Sequence, residues 1–146
     1  MGEDTEKPVV LVAACALVDK QGRVLITKRP EGKPLAGLWE FPGGKVERDE
    51  TPEHALIREL KEELGIAIAA DALFPLTFAS HTYETFHLLM PIYACGHWQG
   101  AVTAHEGQEL AWVKPDELSD YAMPPADEPL KQTLAGLLSL WRRGGG

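Results

Sequence analysis

The sequence predicts a single domain of the α/β or α+β class, because strand and helix patterns are mixed along the chain. Apolar runs rich in valine indicate buried strands, and two segments, 52–64 and 128–143, carry apolar residues at helical spacing. The length of 146 residues suits one domain with a substantial core. We expect that domain at 9–143, with flexible tails at 1–8 and 144–146.

The first strands are predicted in the segment before residue 42. The near-continuous apolar run PVVLVAACALV at 8–18 predicts a buried strand. A turn at 19–22 and the alternating segment RVLITKR at 23–29 predict a returning strand, and hence a β-hairpin. A loop with Pro and Gly at 30–37 precedes a short strand candidate, LWEF at 38–41, which Pro42 and two glycines end.

A helix is predicted over 52–64 from its two ends. Thr51 can cap the first turn, Pro52 suits the first helical position, and Glu53 favours the positive end of the helix dipole. Gly65 supplies the matching stop.

The second half of the chain is predicted to begin with two or three strands in 66–95, the clearest at 86–94. A loop at 104–108, a strand at 109–113 and a short helix or turn at 115–121 follow. From Glu128 to Arg143, leucines and Trp141 recur at helical spacing, which predicts an amphipathic C-terminal helix.

Charge and composition exclude several functional classes. The net charge of −8, from 14 basic and 22 acidic residues, argues against a general nucleic-acid binder. Cys15 and Cys95 lie in apolar runs, which predicts buried free thiols. The N-terminus is polar and acidic, and the longest apolar run is too short to span a bilayer. We therefore expect a cytoplasmic protein with no membrane partner.

The helix at 52–64 has two different flanks. Glu59, Glu62 and Glu63 fall within one arc about 100° wide. Hard divalent cations such as Mg²⁺ and Mn²⁺ take carboxylate ligands of this kind, although a solvated acidic face is the usual meaning of such a cluster. The second flank lies roughly 120° round from the first and is apolar. It consists of Leu56, Ile57, Leu60 and Leu64.

The residues around this helix favour the metal interpretation. Gly43 and Gly44 precede the segment, and glycines let backbone approach a phosphate or expose a carbonyl to a metal. Glu50 adds a carboxylate at the end of the loop. Arg58, next to Glu59, is well placed to pair with a carboxylate and hold it in position.

The segment resembles the Nudix box of the Nudix hydrolases at every fixed position of that motif. The wider chain is similar to the MutT branch, the nucleotide-pool sanitising enzymes, in the segments ITKRP, WEFPGGKVE, AHEGQ and PPADEP. The matching positions are Gly44, Glu50, Arg58-Glu59-Leu60, Glu62-Glu63 and Gly65-Ile66, with five, seven, one and one residues between the successive groups.

The resemblance implies an α/β/α sandwich around a mixed sheet, and a Mg²⁺-dependent hydrolase, with Mn²⁺ as an alternative ion. By this resemblance Glu59, Glu62 and Glu63 are metal ligands, and the Gly43 carbonyl is a further ligand. Arg58 is expected to orient a carboxylate. The remaining box residues, Gly44, Glu50, Leu60, Gly65 and Ile66, are expected to be structural.

Further candidates lie outside the box. Glu106, in AHEGQ, aligns with a loop glutamate of MutT-like proteins that binds metal and can act as general base. Its alternative role is an exposed loop carboxylate, and Glu109 is then the fallback.

The substrate-binding candidates come from several segments. Arg29 matches a position that contacts the nucleotide, and Lys45 is either a phosphate ligand or a solvated lysine. Glu40 is a further substrate-binding candidate, and Phe78 and Tyr83 are candidates for stacking on a base.

Asp127, in PPADEP, stands where the best-known MutT enzymes have asparagine. An amide accepts from the N7–H of 8-oxoguanine and donates to its O6, whereas an ionised carboxylate only accepts. Ionised Asp127 suits guanine N1–H and N2–H or the amino group of cytosine, and a protonated Asp127 regains the donor.

The leading hypothesis is a pyrophosphohydrolase that converts 8-oxo-dGTP to monophosphate and pyrophosphate. The second is the same chemistry on CTP or a modified dCTP. Hydrolysis of ADP-ribose or a dinucleotide polyphosphate ranks lower. A binding-only Nudix domain is disfavoured by the intact box glutamates. No stable nucleic-acid partner is expected, and a monomer is expected, with a homodimer as the alternative.

Overall fold

The computed structural model describes residues 7–145. The tails predicted at 1–8 and 144–146 therefore lie partly outside the described residues, which exclude 1–6 and 146. Within the described range the elements are β1 (Val9–Leu17), β2 (Val24–Lys28), β3 (Trp39–Glu40), β4 (Gly43–Lys45), α1 (Pro52–Leu64), β5 (Phe74–Thr82), β6 (His87–Cys95), β7 (Glu109–Val113) and α2 (Leu130–Arg143). Short 3₁₀ turns occupy Ala70–Ala72 and Pro115–Asp120.

The strands form two sheets, and one of them is mixed. The first has the order β4-β1-β6-β5, in which β1 and β6 are parallel and the other pairs are antiparallel. The second has the order β3-β2-β7 and is antiparallel. The mixed α/β class predicted from the sequence is confirmed.

Strand β1 is buried on both faces from Ala13 to Leu17, as its continuous apolar run predicted. Ala13, Cys15 and Leu17 belong to the core that contains the leucines of α1. Ala14 and Ala16 belong to the core that contains the leucines of α2. The first sheet is therefore sandwiched between two helices, as the resemblance implied.

The predicted turn and returning strand are confirmed, but the predicted hairpin between 8–18 and 23–29 does not extend into a ladder. Strands β1 and β2 lie in different sheets, and the bridge between Val18 and Val24 is the pairing that joins them. The physical reason is that β4 pairs with Val12–Ala14 on one edge of β1 and β6 occupies the other edge, so β2 can pair only at the bridge beyond the end of β1.

The predicted end of the short strand is confirmed, since β3 ends at Glu40, but the glycines that follow form a separate strand, β4, which pairs with β1 in the other sheet. Glycine is depleted in strands, so residue preference provides no signal for β4.

Helix α1 has the predicted bounds. The Thr51 hydroxyl oxygen accepts a hydrogen bond from the His54 amide at 3.1 Å, and Gly65 ends the helix in the left-handed region at φ 72°. Helix α2 begins at Leu130 rather than Glu128, because the chain from 124 to 129 forms turns. Cys15 and Cys95 are buried and free, as predicted. Among residues 7–145, no helix combines the length and apolarity that crossing a membrane requires.

Candidate active site

A cavity of about 850 Å³ is lined by both sheets, the C-terminal turn of α1 and the connection between β5 and β6. Two groups of polar residues line it. We call the first the Glu63 cluster, which consists of Gly43, Gly44, Lys45, Glu63 and Glu106. We call the second the Asp127 cluster, which consists of Arg29, Glu40, Tyr83 and Asp127.

The two glycines of the Glu63 cluster are required by close approaches. Gly43 has φ 151°, and a Cβ added there would collide with the Ala13 carbonyl oxygen on β1. A Cβ added to Gly44 would lie 2.5 Å from the carboxyl carbon of Glu59. Strand β4 therefore brings bare backbone against the acidic flank of α1, where a side chain would separate them.

Arg58 connects the loop before α1 to the acidic flank. Its guanidinium donates two hydrogen bonds to Glu50, at 2.7 and 2.9 Å, and one to Glu59 at 2.9 Å. It also donates to the Lys45 carbonyl at 3.2 Å. The bidentate pair with Arg58 is the main reason that the pKa of Glu50 falls to about 2. This geometry suits the orienting role predicted for Arg58.

Glu63 is the most perturbed carboxyl group of the cluster. Burial raises its pKa to about 9, and the neighbouring Glu59 and the charge of Glu106 act in the same direction. The Gly43 backbone amide partly opposes the shift. Burial and the neighbouring carboxylates thus disfavour ionised Glu63 in the absence of a cation, and a cation bound at this point would offset both effects.

The predicted ligands do not all converge. Among residues 7–145, no three His, Cys, Asp or Glu side chains are arranged as a ready metal-binding group. Glu59 faces Arg58, and Glu62 is 58% exposed at its side chain and 3.9 Å from the Arg58 guanidinium. The donors nevertheless fit a hard divalent cation, because Glu59, Glu63 and Glu106 supply oxygen, and both Glu59 and Glu106 raise the pKa of Glu63.

Glu106 lines the cavity from the loop after β6, whereas Glu109 is absent from the cavity-lining residues of the described chain. The Glu109 side chain is 69% exposed and lies 3.8 Å from the Lys28 ammonium. The geometry thus favours Glu106 over the fallback. Lys45 is exposed and borders the cavity, which is compatible with both of its predicted roles.

The Asp127 cluster surrounds a buried carboxyl group. Asp127 is only 5% exposed, and Arg29 donates to Glu40 at 3.0 Å in the same part of the cavity. Burial raises the pKa of Asp127 to about 7, with the charges of Glu40 and Glu128 adding to the effect and Arg29 opposing it. Near neutral pH, Asp127 therefore exists in both protonation states.

The aromatic candidates are not equivalent. Tyr83 lines the cavity, stacks on Phe86 with ring centroids 5.0 Å apart, and its hydroxyl oxygen accepts from the Ala126 amide at 3.3 Å. Phe78 is 63% exposed, and the described cavity lining does not include it. Its place in the pocket is corrected, because strand alternation sends Ala79 into the core and Phe78 to the opposite face.

The box residues predicted to be structural occupy structural positions. Leu60 and Ile66 are buried in the core next to α1, and Gly65 is the left-handed end of the helix. Phe86 and Gln108 are among the cavity residues that were not predicted: Phe86 stacks on Tyr83, and the Gln108 amide contacts the backbones of Glu63 and Glu106. Gln108 lies within AHEGQ, so that motif was the available signal.

Comparison with known proteins gives a consistent result. A family model described as the NUDIX domain matches residues 13–133. A CTP pyrophosphohydrolase of Escherichia coli (strain K12) is 38% identical over 130 residues, which cover 88% of this chain and 93% of the relative. An 8-oxo-dGTP diphosphatase of Haemophilus influenzae is 39% identical over 126 residues, covering 86% and 90%.

Solved structures agree with this match. The solution structure of the E. coli ORF135 protein superposes with a TM-score of 0.79 at 33% identity, covering 93% of this chain and 95% of that one. A MutT structure, from a study of the enzymes of Aliivibrio salmonicida and Vibrio cholerae, gives a TM-score of 0.72 at 32% identity, covering 88% and 98%.

Proposed function

The chain belongs to the NUDIX domain family, and on that premise we propose that it hydrolyses nucleoside triphosphates to monophosphate and pyrophosphate. The observation that carries the proposal is the cavity itself. It joins a cluster of carboxylates and bare glycine backbone to a second cluster with the polar and aromatic groups that a nucleobase requires. The relatives that cover most of the chain bear names with this same reaction class.

Nudix hydrolases generally use divalent metal ions, and Mg²⁺ is the ion we propose here, with Mn²⁺ as a substitute. The proposed ligands are Glu59, Glu62, Glu63 and Glu106, with the Gly43 carbonyl. A bound divalent ion supplies neutralisation of the phosphate charge and lowers the pKa of a coordinated water.

The protein's own residues supply the remaining requirements. Arg58 holds Glu59 in a fixed orientation through its ion pair, and the ion pair with Glu50 anchors Arg58 to the preceding loop. Glu106 is the proposed general base that accepts a proton from the attacking water. Gly43 and Gly44 allow the phosphates to approach the backbone.

The first-choice substrate is 8-oxo-dGTP, in which case the protein removes oxidised dGTP from the nucleotide pool. The support is that the pKa of Asp127 is about 7, so its carboxyl group is substantially protonated at neutral pH. In that form it donates to O6 and accepts from N7–H, as an amide would. Arg29, Tyr83 and Phe86 would then surround the base and sugar.

The second candidate is CTP or a modified dCTP, and a separate observation favours it. Glu40 lines the same part of the cavity as Asp127, so two carboxylates are available as acceptors. An exocyclic amino group of cytosine donates two hydrogens, which two such acceptors can take.

A turnover panel tests the proposal. Purified protein with Mg²⁺ would be given 8-oxo-dGTP, dGTP, CTP, 5-methyl-dCTP and ADP-ribose, and products would be separated by chromatography. Preferred release of monophosphate and pyrophosphate from 8-oxo-dGTP supports the first substrate, and preference for the cytosine nucleotides supports the second. Preference for ADP-ribose, or no Mg²⁺-dependent turnover of any of the five, would refute the proposal.

A further inference from the structure

The side chain of Gln108 joins two segments of the candidate active site. Its Nε2 donates to the backbone carbonyl of Glu63 at 3.0 Å. Its Oε1 accepts from the backbone amide of Glu106 at 2.8 Å. One amide group therefore contacts the main chain of both residues, which come from a helix and from a loop more than 40 positions away in sequence.

These contacts are part of a set of hydrogen bonds that caps the C-terminus of α1. The last carbonyls of a helix have no partners within it, so they need donors from elsewhere. The Glu63 carbonyl accepts from the His105 amide at 3.0 Å as well as from Gln108, and the Leu64 carbonyl accepts from the Thr103 amide at 3.1 Å. The loop at 103–108 thus caps the C-terminus of the helix that carries the acidic flank.

The shape of the loop depends on a glycine. Gly107 has φ 72°, which lets the chain reverse between Glu106 and Gln108 so that the Gln108 side chain points back to the Glu106 amide. Gln108 is half-buried, and its side chain borders the cavity. The hydrogen bond to Glu63 is therefore partly shielded from competing water, whereas the bond to Glu106 is exposed.

The chemistry of the position requires an amide. One partner is a carbonyl, which needs a donor, and the other is an N–H group, which needs an acceptor. A glutamine side chain offers both on one planar group, whereas a carboxylate lacks the donor and an ammonium lacks the acceptor.

We propose that Gln108 is a positioning residue that sets the spacing between the backbones of Glu63 and Glu106, and thereby the affinity of the site for divalent cations. The inference rests on the proposed function, since it assumes that both glutamates are metal ligands. Outer contacts that orient ligands typically change metal affinity or activity by about 10–100-fold when they are removed.

The test compares Gln108→Met with the wild-type protein. Methionine has a similar length and keeps the packing but lacks both hydrogen-bonding groups. The matched control is Gln132→Met, because Gln132 is exposed on α2. Three quantities are measured: Mn²⁺ affinity by electron paramagnetic resonance without substrate, hydrogen exchange of the Glu106 amide, and kcat and KM at saturating Mg²⁺.

We expect Gln108→Met to weaken Mn²⁺ binding about tenfold, to speed exchange of the Glu106 amide, and to lower kcat with KM changed less than about twofold. Gln132→Met should leave all three quantities at their wild-type values. Mn²⁺ affinity within twofold of wild type, or an unchanged exchange rate of Glu106, overturns the proposal.

Two complications are covered by the design. If Gln108→Met does not fold, Gln108→Ala replaces it under the same criteria, since it removes the same two hydrogen bonds without adding bulk. Wild-type protein that binds Mn²⁺ but turns over no nucleotide refutes the proposed function alone, because the affinity and exchange measurements need no substrate.

Discussion

At the scale of single residues, the same side-chain type has different properties at different positions. Arg58 lowers the pKa of Glu50 to about 2, while burial and neighbouring carboxylates raise that of Glu63 to about 9. The difference comes from environment alone, since an unperturbed glutamate has a pKa of about 4.3. At neutral pH Glu50 is therefore ionised and paired with Arg58, whereas Glu63 is protonated until a cation displaces its proton.

Glu63 is proposed to contact the metal directly, so Glu63→Gln should lower kcat by about 10²-fold or more while the protein stays folded. The amide keeps the size of the side chain and removes its charge. Steady-state kinetics with Mg²⁺, together with circular dichroism, checks the prediction. Glu84→Gln is the matched control, because Glu84 is exposed beside the cavity-lining Tyr83 and is not itself in the lining. Unchanged turnover in Glu63→Gln would show that the ligand assignment is wrong.

The pKa of Asp127, raised to about 7, predicts a pH-dependent choice of base. The protonated form dominates below pH 7 and suits 8-oxoguanine, and the ionised form dominates above pH 7 and suits an amino group. The ratio of kcat/KM for 8-oxo-dGTP to that for CTP should therefore fall between pH 6 and pH 8. Asp127→Asn should make the ratio independent of pH over this range, and a ratio that rises with pH in the wild type contradicts the prediction.

Tyr83 should affect substrate binding through the turn that carries Asp127. Tyr83→Phe keeps the ring that stacks on Phe86 but leaves the Ala126 amide without its acceptor, at a cost of about 1 kcal/mol. We expect KM to rise about fivefold with kcat nearly unchanged. Tyr121→Phe is the control, since Tyr121 packs on Trp39 outside the cavity lining. Equal KM values for the two variants would exclude this role.

At the scale of elements, the two ends of α1 are capped differently. A neighbouring residue caps the N-terminus, and a loop distant in sequence caps the C-terminus. The Thr51 hydroxyl satisfies the His54 amide, and the loop at 103–108 satisfies the last carbonyls. Leu56, Leu60 and Leu64 anchor the apolar flank in the core. These contacts hold the acidic flank at the rim of the sheet. A helix that lacked them and was surrounded by solvent would fray at its ends.

Loss of the N-cap should destabilise the whole domain. Thr51→Ala removes the acceptor for the His54 amide and should lower the free energy of unfolding by about 1 kcal/mol. Urea denaturation followed by circular dichroism measures the change. Thr133→Ala, at an exposed site within α2, should show no loss of stability. A similar loss in both variants would argue against a capping effect.

At the scale of the whole molecule, the site exists because separate layers meet. The second sheet, the β5–β6 connection and the turn before α2 supply the Asp127 cluster, whereas β4, α1 and the loop at 103–108 supply the Glu63 cluster. A buried contact also joins layers: the Tyr93 hydroxyl on β6 donates to the Glu53 carboxylate on α1 at 2.8 Å.

This contact predicts how stability depends on alkaline pH. Burial and Glu53 raise the pKa of Tyr93 to about 12, whereas an unfolded tyrosine titrates at about 10. The folded state thus favours neutral Tyr93, and its contribution is full below pH 10 and is lost as the pH rises toward 12. Wild-type unfolding free energy should fall more steeply than that of Tyr93→Phe between pH 9 and pH 11 in urea titrations. Parallel curves would contradict the prediction.

Part of this protein is determined by local sequence. Thr51, Pro52 and Gly65 set both ends of α1, because capping depends on residues within one turn of the helix. The helical spacing of the three glutamates and the box resemblance likewise identify the acidic flank and the family from the residues alone.

The tertiary structure decided the rest, because it depends on pairing between distant segments. Local sequence could not reveal that β4 and β6 would pair with β1 and limit its pairing with β2 to one bridge, nor that Phe78 would face outward. Burial set the pKa of Asp127, and chain reversal at Gly107 brought Gln108 to Glu63. Desolvation and long-range hydrogen bonds arise only when the layers pack, so the sequence specified the chemical groups and the fold specified their environments.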